Sequence, residues 1–105
     1  MSLYDVALTG MRSSVAGFTT ATQNIANVNT PGYRAQRYDS ATGTTQTPPR
    51  PEAVPEEPTD ELPESDVDLA GEIISMKMYE LGFRANAATL YVADRVQKNI
   101  IDILA

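Results

Sequence analysis

Any catalytic or metal-binding chemistry in this sequence would have to come from carboxylates, because it contains no cysteine and no histidine. A thiol nucleophile, a Cys/His zinc site and an imidazole base are therefore excluded. Asp66, Asp68 and Glu72 could be called a carboxylate cluster, and they lie at the expected start of a helix. Acidic residues are common there, because they cap the helix and complement its dipole. We therefore expect no catalytic residue, no metal site and no cofactor, and a protein that is not an enzyme.

The charge of the chain is concentrated in one stretch. Residues 48–66 contain seven acidic residues and one arginine, so they carry the whole formal net charge of −6. A nucleic-acid-binding protein needs a basic face, so this pattern argues against nucleic acid as a partner. No pattern indicates a small-molecule substrate. The sequence also has neither an apolar run of about 20 residues, as a membrane span needs, nor the pattern of a cleaved signal peptide.

The first third of the chain predicts a long helix over residues 2–28. Apolar residues recur at alternating steps of four and three, the spacing of a coiled-coil seam: Tyr4, Leu8, Met11, Val15, Phe18, Thr22 and Ile25. A second line consists of small or short residues: Gly10, Ser14, Gly17, Ala21 and Asn24. Each helical glycine costs about 1 kcal/mol relative to alanine. Close approach of a neighbouring helix would offset that cost; alternatively, these are plain surface positions.

The helix is expected to end at a turn. Pro31 cannot continue the helical hydrogen bonds, and Pro31-Gly32 favours a type II turn with a positive φ at Gly32. Asn27 or Asn29 could provide a left-handed cap. After this turn, residues 35–65 predict a flexible, acidic linker, because they hold six of the seven prolines and no alternating strand pattern.

A second long helix is predicted over residues 67–104, with Ser65 or Asp66 as its N-cap. Its main apolar line is Ile74, Met78, Leu81, Ala85, Ala88, Val92, Val96, Ile100 and Ile103, and a shorter line is Met76, Phe83 and Leu90. The fold class is therefore all-α. An N-terminal helix and turn (residues 1–34) and a C-terminal helix (residues 66–105) form a coiled-coil-like antiparallel pair, joined by the extended Pro/Glu-rich linker of residues 35–65. In that pair we expect Met11 near Ile103.

The apolar faces of these helices are wider than a two-helix pair can cover, which predicts assembly with neighbours. The residues expected to form this assembly seam are Leu8, Met11, Val15, Phe18, Ile25, Ile74, Met78, Leu81, Val92, Val96 and Ile100.

Two motifs add a family resemblance. The run Ala26-Asn27-Val28-Asn29-Thr30-Pro31-Gly32-Tyr33 resembles the signature that follows the N-terminal helix in bacterial flagellar rod and hook proteins. In the C-terminal helix, Val67-Asp68-Leu69-Ala70 and Phe83-Arg84-Ala85-Asn86 are similar to elements of the same family. The resemblance covers about the first third and last two-fifths of the chain. It is nearest to the short proximal-rod proteins, although the middle segment here is even shorter. The residues that it marks as an assembly motif are Asn24, Ala26, Asn27, Asn29, Thr30, Pro31, Gly32, Tyr33, Val67, Asp68, Phe83, Ala85 and Asn86.

The resemblance implies a structural subunit of the flagellar basal-body rod, in the periplasm. Such a subunit would leave the cell through the flagellar type III export apparatus, which needs no cleaved signal peptide. Its partners would be other rod proteins, itself and that apparatus. The alternative is an accessory binding module that engages rod proteins or the export gate without being a rod layer.

Overall fold

Two long helices dominate the computed structural model, which describes residues 2–49 and 60–104. Helix α1 spans Leu3–Ala26 and helix α2 spans Leu69–Leu104. Between them lie two short strands, β1 (Arg37–Asp39) and β2 (Thr44–Gln46). The molecule is elongated, with principal extents of 76 × 22 × 15 Å. The prediction of an all-α fold built from two antiparallel terminal helices is confirmed.

Local sequence explains where α1 begins and ends. Ser2 and Asp5 form a capping box, in which the Ser2 hydroxyl accepts the Asp5 N–H and the Asp5 carboxylate accepts the Ser2 N–H. At the other end the Asn27 N–H bonds to the Gln23 carbonyl at 3.2 Å. Asn27 has a φ of −106°, and no described residue other than glycine has a positive φ, so the expected left-handed asparagine cap is wrong.

The turn after α1 has the predicted geometry. The Tyr33 N–H donates to the Thr30 carbonyl at 3.1 Å, which closes a four-residue turn around Pro31 and Gly32. Gly32 has a φ of +77°, the positive value that a type II turn requires at this position.

The contact between the helices uses the line of small residues in α1. Five of the six buried residues of α1 are Ala7, Ser14, Gly17, Ala21 and Asn24, at successive steps of seven, three, four and three. A Cβ on Gly10 would lie 2.6 Å from the Asn86 amide, and one on Gly82 would lie 3.0 Å from the Ser14 hydroxyl. The interpretation of the small line as a site of close helix approach is therefore confirmed.

These contacts fix the register of the antiparallel pair. Gly10 faces Asn86, and Ile103 lies 17 residues beyond Asn86, which is about 25 Å along a helix. The expected proximity of Met11 and Ile103 is therefore wrong. Met11 instead shares a groove with Phe83.

The middle segment contains a hairpin that the linker prediction did not include. Strands β1 and β2 pair antiparallel, with Tyr38 opposite Thr45. One face of the hairpin lies on α1, where Tyr38 bonds to Ser13 at 3.3 Å and Thr45 bonds to Thr20 at 3.2 Å. Its residues are mostly polar and exposed, so the sequence lacks the alternation that marks a strand. Residues 50–59 of the predicted linker lie outside the described residues.

Candidate functional site

A buried polar cluster joins α1, the turn, the hairpin and α2. Its centre is Asn24, which is fully buried although it is an amide. The Asn24 amide nitrogen donates to the Gln36 carbonyl at 2.9 Å and to the Glu72 carboxylate at 3.0 Å. The Asn24 carbonyl accepts the Gln36 N–H at 2.8 Å and the Tyr33 hydroxyl at 2.9 Å. The side chain thus uses both its donors and both its acceptor sites, as a buried amide must to avoid a large desolvation cost.

Glu72 is the charged member of this polar cluster. It lies in the first turn of α2 and is only 4% exposed. Besides Asn24, it binds the Arg37 guanidinium at 2.5 Å, and Arg37 itself remains half exposed to solvent. Capping chemistry accounts for its place in the helix, but the burial and the two partners show a further role: Glu72 ties the hairpin and α1 to the start of α2.

The pKa of Tyr33 is shifted by its position in the same cluster. Burial raises the pKa of the Tyr33 phenol above its ordinary value, and the negative charges of Glu72 and Asp66 raise it further. The neutral phenol that donates to Asn24 is therefore the stable form in the folded protein.

The turn also binds the segment that leads into α2. The Gly32 N–H donates to the Pro63 carbonyl at 2.6 Å, and the Asp66 N–H donates to the Tyr33 carbonyl at 3.3 Å. The Asp66 carboxylate accepts the Ala35 N–H at 2.5 Å. The turn therefore contacts the segment just before Val67, which lies more than 30 residues away in the chain, at one end of the helix pair.

The assembly seam lies outside the contact between the helices. In α1 its residues follow the small line by one position, as Met11 follows Gly10, so they lie about 100° around the helix. In α2 the seam residues come one position before the residues that face α1, as Leu81 comes before Gly82. Most of the seam is exposed: Leu8, Val15, Ile74, Met78, Leu81, Val92, Val96 and Ile100 are exposed, while Met11, Phe18 and Ile25 are half-buried.

The two parts of the seam lie on opposite flanks of the molecule. On one flank, α1 seam residues and Phe83 form an apolar groove between the helices, lined by Leu8, Met11, Val15, Phe18 and Phe83. Phe83 follows Gly82 and Leu81 precedes it, so the two side chains leave α2 on opposite sides of its inward line. The α2 seam is therefore on the flank away from the groove, and the seam forms two separate surfaces.

The predicted motif residues divide into three groups. Asn24, Gly32 and Tyr33 are held by the contacts just described, and Asn27 caps α1 and accepts the Thr30 hydroxyl. Asn86 faces α1, Val67 is half-buried and the Asp68 carbonyl accepts the Glu72 N–H. Phe83 lines the groove, whereas Ala26, Asn29, Pro31 and Ala85 are exposed and lie outside the polar cluster.

Sequence reasoning missed the part played by Arg37, Gln36 and Tyr79. One signal could have revealed the inward face of α2: Glu72, Tyr79, Asn86 and Ala93 are seven residues apart, as coiled-coil contact positions are. No comparable signal marks Arg37 or Gln36.

The geometry of the polar cluster suits structural support rather than catalysis, because its buried groups are already engaged with one another. No group of three or more potential metal-binding side chains occurs within residues 2–49 and 60–104. Neither helix, over its described length, is long and apolar enough to cross a membrane. Comparison of the sequence with models of known protein families and with curated proteins finds no match.

Proposed function

We propose that the protein is a structural subunit of the flagellar basal-body rod type, which assembles through helix packing after type III export. The observation that carries this proposal is the uncovered apolar surface on both flanks of the helix pair. On the α2 flank, Met78 and Leu81 are each 68% exposed. Contiguous apolar surface of this kind marks an interaction site in soluble proteins, and a subunit inside a polymer needs such sites on more than one side.

The resemblance to rod and hook proteins gives the proposal its biological setting. The Asn24 and Thr30–Tyr33 part of that resemblance coincides with the polar cluster and the turn, which hold the helix pair together. On this view the motif maintains the pairing of the terminal helices, and the seam makes the contacts between subunits. The inner contact would therefore form within one subunit, and assembly would add the outer ones.

Purified basal bodies provide the test. Antibody detection of the protein in them, at a constant ratio to other rod proteins, is the expected result. Phe18→Asp should remove the protein from basal bodies while leaving expression intact, because it places a carboxylate in the groove. Thr19→Asp is the matched control, since Thr19 is the neighbouring residue and is exposed. Absence of the unmodified protein from basal bodies of motile cells would refute the proposal.

The accessory binding module is a second candidate, favoured by the small size of the middle segment, in which the described structure is one hairpin of two three-residue strands. Deletion of about ten residues within positions 48–61 separates the two candidates. A structural subunit should tolerate it, because a spacer tolerates changes of length. If the deletion abolished motility while Phe18→Asp and Leu81→Asp cells swam normally, the function would lie in the acidic segment and the accessory role would replace the structural one.

A further inference from the structure

We infer that the groove binds the distal end of α2 from a second copy of this chain. The inference rests on the proposed function, because it names one contact by which such a subunit would join the next. The groove is the surface defined above by Leu8, Met11, Val15, Phe18 and Phe83. The distal end is the part of α2 that follows Ala93, the last buried residue of that helix.

The groove has the size and lining of a site for a helix. The part of the groove between Val15, Phe18 and Phe83 has a volume of about 340 Å³. From Leu8 to Phe18 it follows ten residues of α1, which is about 15 Å along the helix. Charged side chains occur only at its rim among the lining residues, where Arg12, Glu80 and Arg84 lie.

The distal end of α2 has matching properties. Val96, Ile100 and Ile103 are 51%, 52% and 81% exposed and lie at the i, i+4, i+7 spacing by which amphipathic helices dock into grooves. They span about 10 Å, which fits within the groove. Lys98 lies on the opposite face, and Asp102 lies on the same flank as Arg95, away from the apolar line. A helix docked through these three apolar residues would therefore bury no charge.

The distal end cannot fill the groove of its own chain. Gly10 faces Asn86, and Ile100 lies 14 residues further along the same continuous helix, about 21 Å away from that level. Helix α2 thus carries its apolar end away from the groove. A second copy can supply both an empty groove and a free end, and each copy can use both surfaces at once.

Charge selects the orientation of the docked helix. When the incoming end runs parallel to α2 of the receiving copy, right-handed helical geometry turns Arg95 and Asp102, which are seven residues apart, towards the rim that carries the Glu80–Arg84 ion pair. Arg95 then lies nearer to Glu80 and Asp102 nearer to Arg84, so each meets an opposite charge. In the reverse orientation both turn towards the α1 rim, where Arg12 forms no salt bridge within the described residues and repels Arg95. Opposite charges at a rim favour correct docking, and like charges oppose it. The parallel orientation is therefore the one that we infer.

This contact joins two different surfaces, so it does not close on itself in a pair. Parallel docking relates each copy to the next mainly by a shift along the helix axis. Contacts of this head-to-tail kind continue into open chains unless a rotation closes them into a ring. The inference therefore predicts a polar chain of subunits rather than a symmetric dimer.

Mixing two variants of the full-length chain tests this directly. Val15→Asp disables the groove and Ile100→Asp disables the end, and each variant alone should associate at least about tenfold more weakly than the wild type. When mixed, the intact end of the first can dock in the intact groove of the second. Sedimentation velocity should then show a one-to-one heterodimer and no longer chain. A symmetric interface would give no such rescue, and failure to form the heterodimer would overturn the inference.

Thr19→Asp is the matched control for the groove variant. Thr19 is exposed, lies four residues after Val15 on α1 and is not among the residues that line the groove. The control should assemble like the wild type, and circular dichroism should show equal helix content in all variants. If Thr19→Asp weakened association as much as Val15→Asp, the groove assignment would be wrong.

The orientation has its own test. Glu80→Arg should weaken association, and combining it with Arg95→Glu should restore part of the loss in low salt. If Arg95→Glu weakened association further in the Glu80→Arg background, parallel docking would be contradicted.

The proposed function and this inference can fail independently. A heterodimer on mixing, together with absence from basal bodies, would keep the inference and reject the rod role. Presence in basal bodies without a heterodimer would do the reverse.

Discussion

The inner contact of the helix pair and its two outer flanks reverse the usual distribution of residues in a small protein. Inside, α1 presents glycine, alanine, serine and asparagine, and α2 presents Glu72, Tyr79 and Asn86. Outside, large aliphatic residues such as Ile74, Met78 and Leu81 are more than half exposed. In an ordinary helical pair the aliphatic residues would face each other.

This difference indicates that the two regions are specified by different physics. The inner contact depends on close backbone approach and on complete pairing of buried polar groups, which are intolerant of substitution. The outer flanks depend on apolar area, which contributes free energy only when another molecule covers it. On the proposed function, the pair acquires its shape from the inner contact and its capacity to associate from the flanks. Substitutions at the inner contact should therefore reduce folding stability, whereas substitutions on the flanks should reduce assembly and leave folding stability nearly unchanged.

The largest effect on folding is expected for Asn24→Asp. The substitution keeps the shape of the side chain but replaces the donor that lies 3.0 Å from the Glu72 carboxylate with a second carboxylate oxygen. Two buried carboxylates at this distance cannot both be ionised without a large cost, so the free energy of unfolding at pH 7 should fall by about 3–5 kcal/mol. Urea unfolding followed by circular dichroism measures the loss. Asn29→Asp, at an exposed position after α1, is the control and should cost less than about 1 kcal/mol.

A large effect is also expected for Gly17→Leu. A Cβ at this position would clash with the Tyr79 ring, and the other leucine atoms would need still more space. Overpacking typically costs about 1–3 kcal/mol, even though leucine favours a helix more than glycine does. Thr19→Leu adds the same side chain at an exposed position of the same helix. Equal urea midpoints for the two variants would mean that the helices do not approach closely at Gly17.

A smaller effect is expected for Tyr33→Phe. The variant loses the hydrogen bond from the Tyr33 hydroxyl to Asn24, while Asn24 keeps the Gln36 N–H, so the cost at pH 7 should be about 1 kcal/mol. Tyr91→Phe removes a hydroxyl from an exposed tyrosine and should keep wild-type stability at pH 7. Thermal or urea unfolding of the two variants side by side makes the comparison.

The same variant should change the response to alkaline pH. Because the folded-state pKa of Tyr33 is raised, the unfolded chain loses its phenolic proton first, near the ordinary value of about 10. The stability linked to the neutral phenol is therefore fully present below that pH and is lost as pH rises through the folded-state pKa. Tyr33→Phe should show a shallower fall of stability in this range. A fall as steep as that of the wild type would assign the pH dependence to other groups.

Much of the fold could be predicted from the sequence, because long helices leave strong periodic signals. Each helix begins and ends within about two residues of its predicted limits. The helix-ending turn followed from the fixed φ of Pro31 and the permissive backbone of Gly32. The register did not follow, because any line of small residues can slide along another helix until particular pairs such as Gly10 and Asn86 fix it. The hairpin was missed because its polar residues have no apolar alternation.

The polar cluster was harder to predict than the helices. Two sequence patterns include Asn24, namely the line of small residues in α1 and the motif. Neither pattern indicates its partners, which are Tyr33, Gln36 and Glu72. Glu72 has the sequence context of a residue that complements the helix dipole, and that context conceals its burial. Only the folded backbone brings Arg37 to it, since 35 residues separate the two along the chain. The exposed flanks were predicted in part, because the apolar faces exceed what two helices can cover.

The smallest effect on folding is expected for Leu81→Asp, and it gives the sharpest contrast with its neighbour Gly82. Leu81 is 68% exposed, so a carboxylate there remains in water and should change the free energy of unfolding by less than about 1 kcal/mol.

Gly82 faces Ser14, where an added Cβ would already lie 3.0 Å from the hydroxyl oxygen. The same carboxylate placed one residue later, in Gly82→Asp, should therefore destabilise the helix pair measurably. On the proposed function both variants should fail to enter basal bodies, Leu81→Asp with a stable fold and Gly82→Asp with a weakened one. Circular dichroism and urea unfolding of the two purified variants distinguish these causes. If Leu81→Asp unfolded the chain as readily as Gly82→Asp, the α2 flank would belong to the folding core, and its assignment to contacts between subunits would fail.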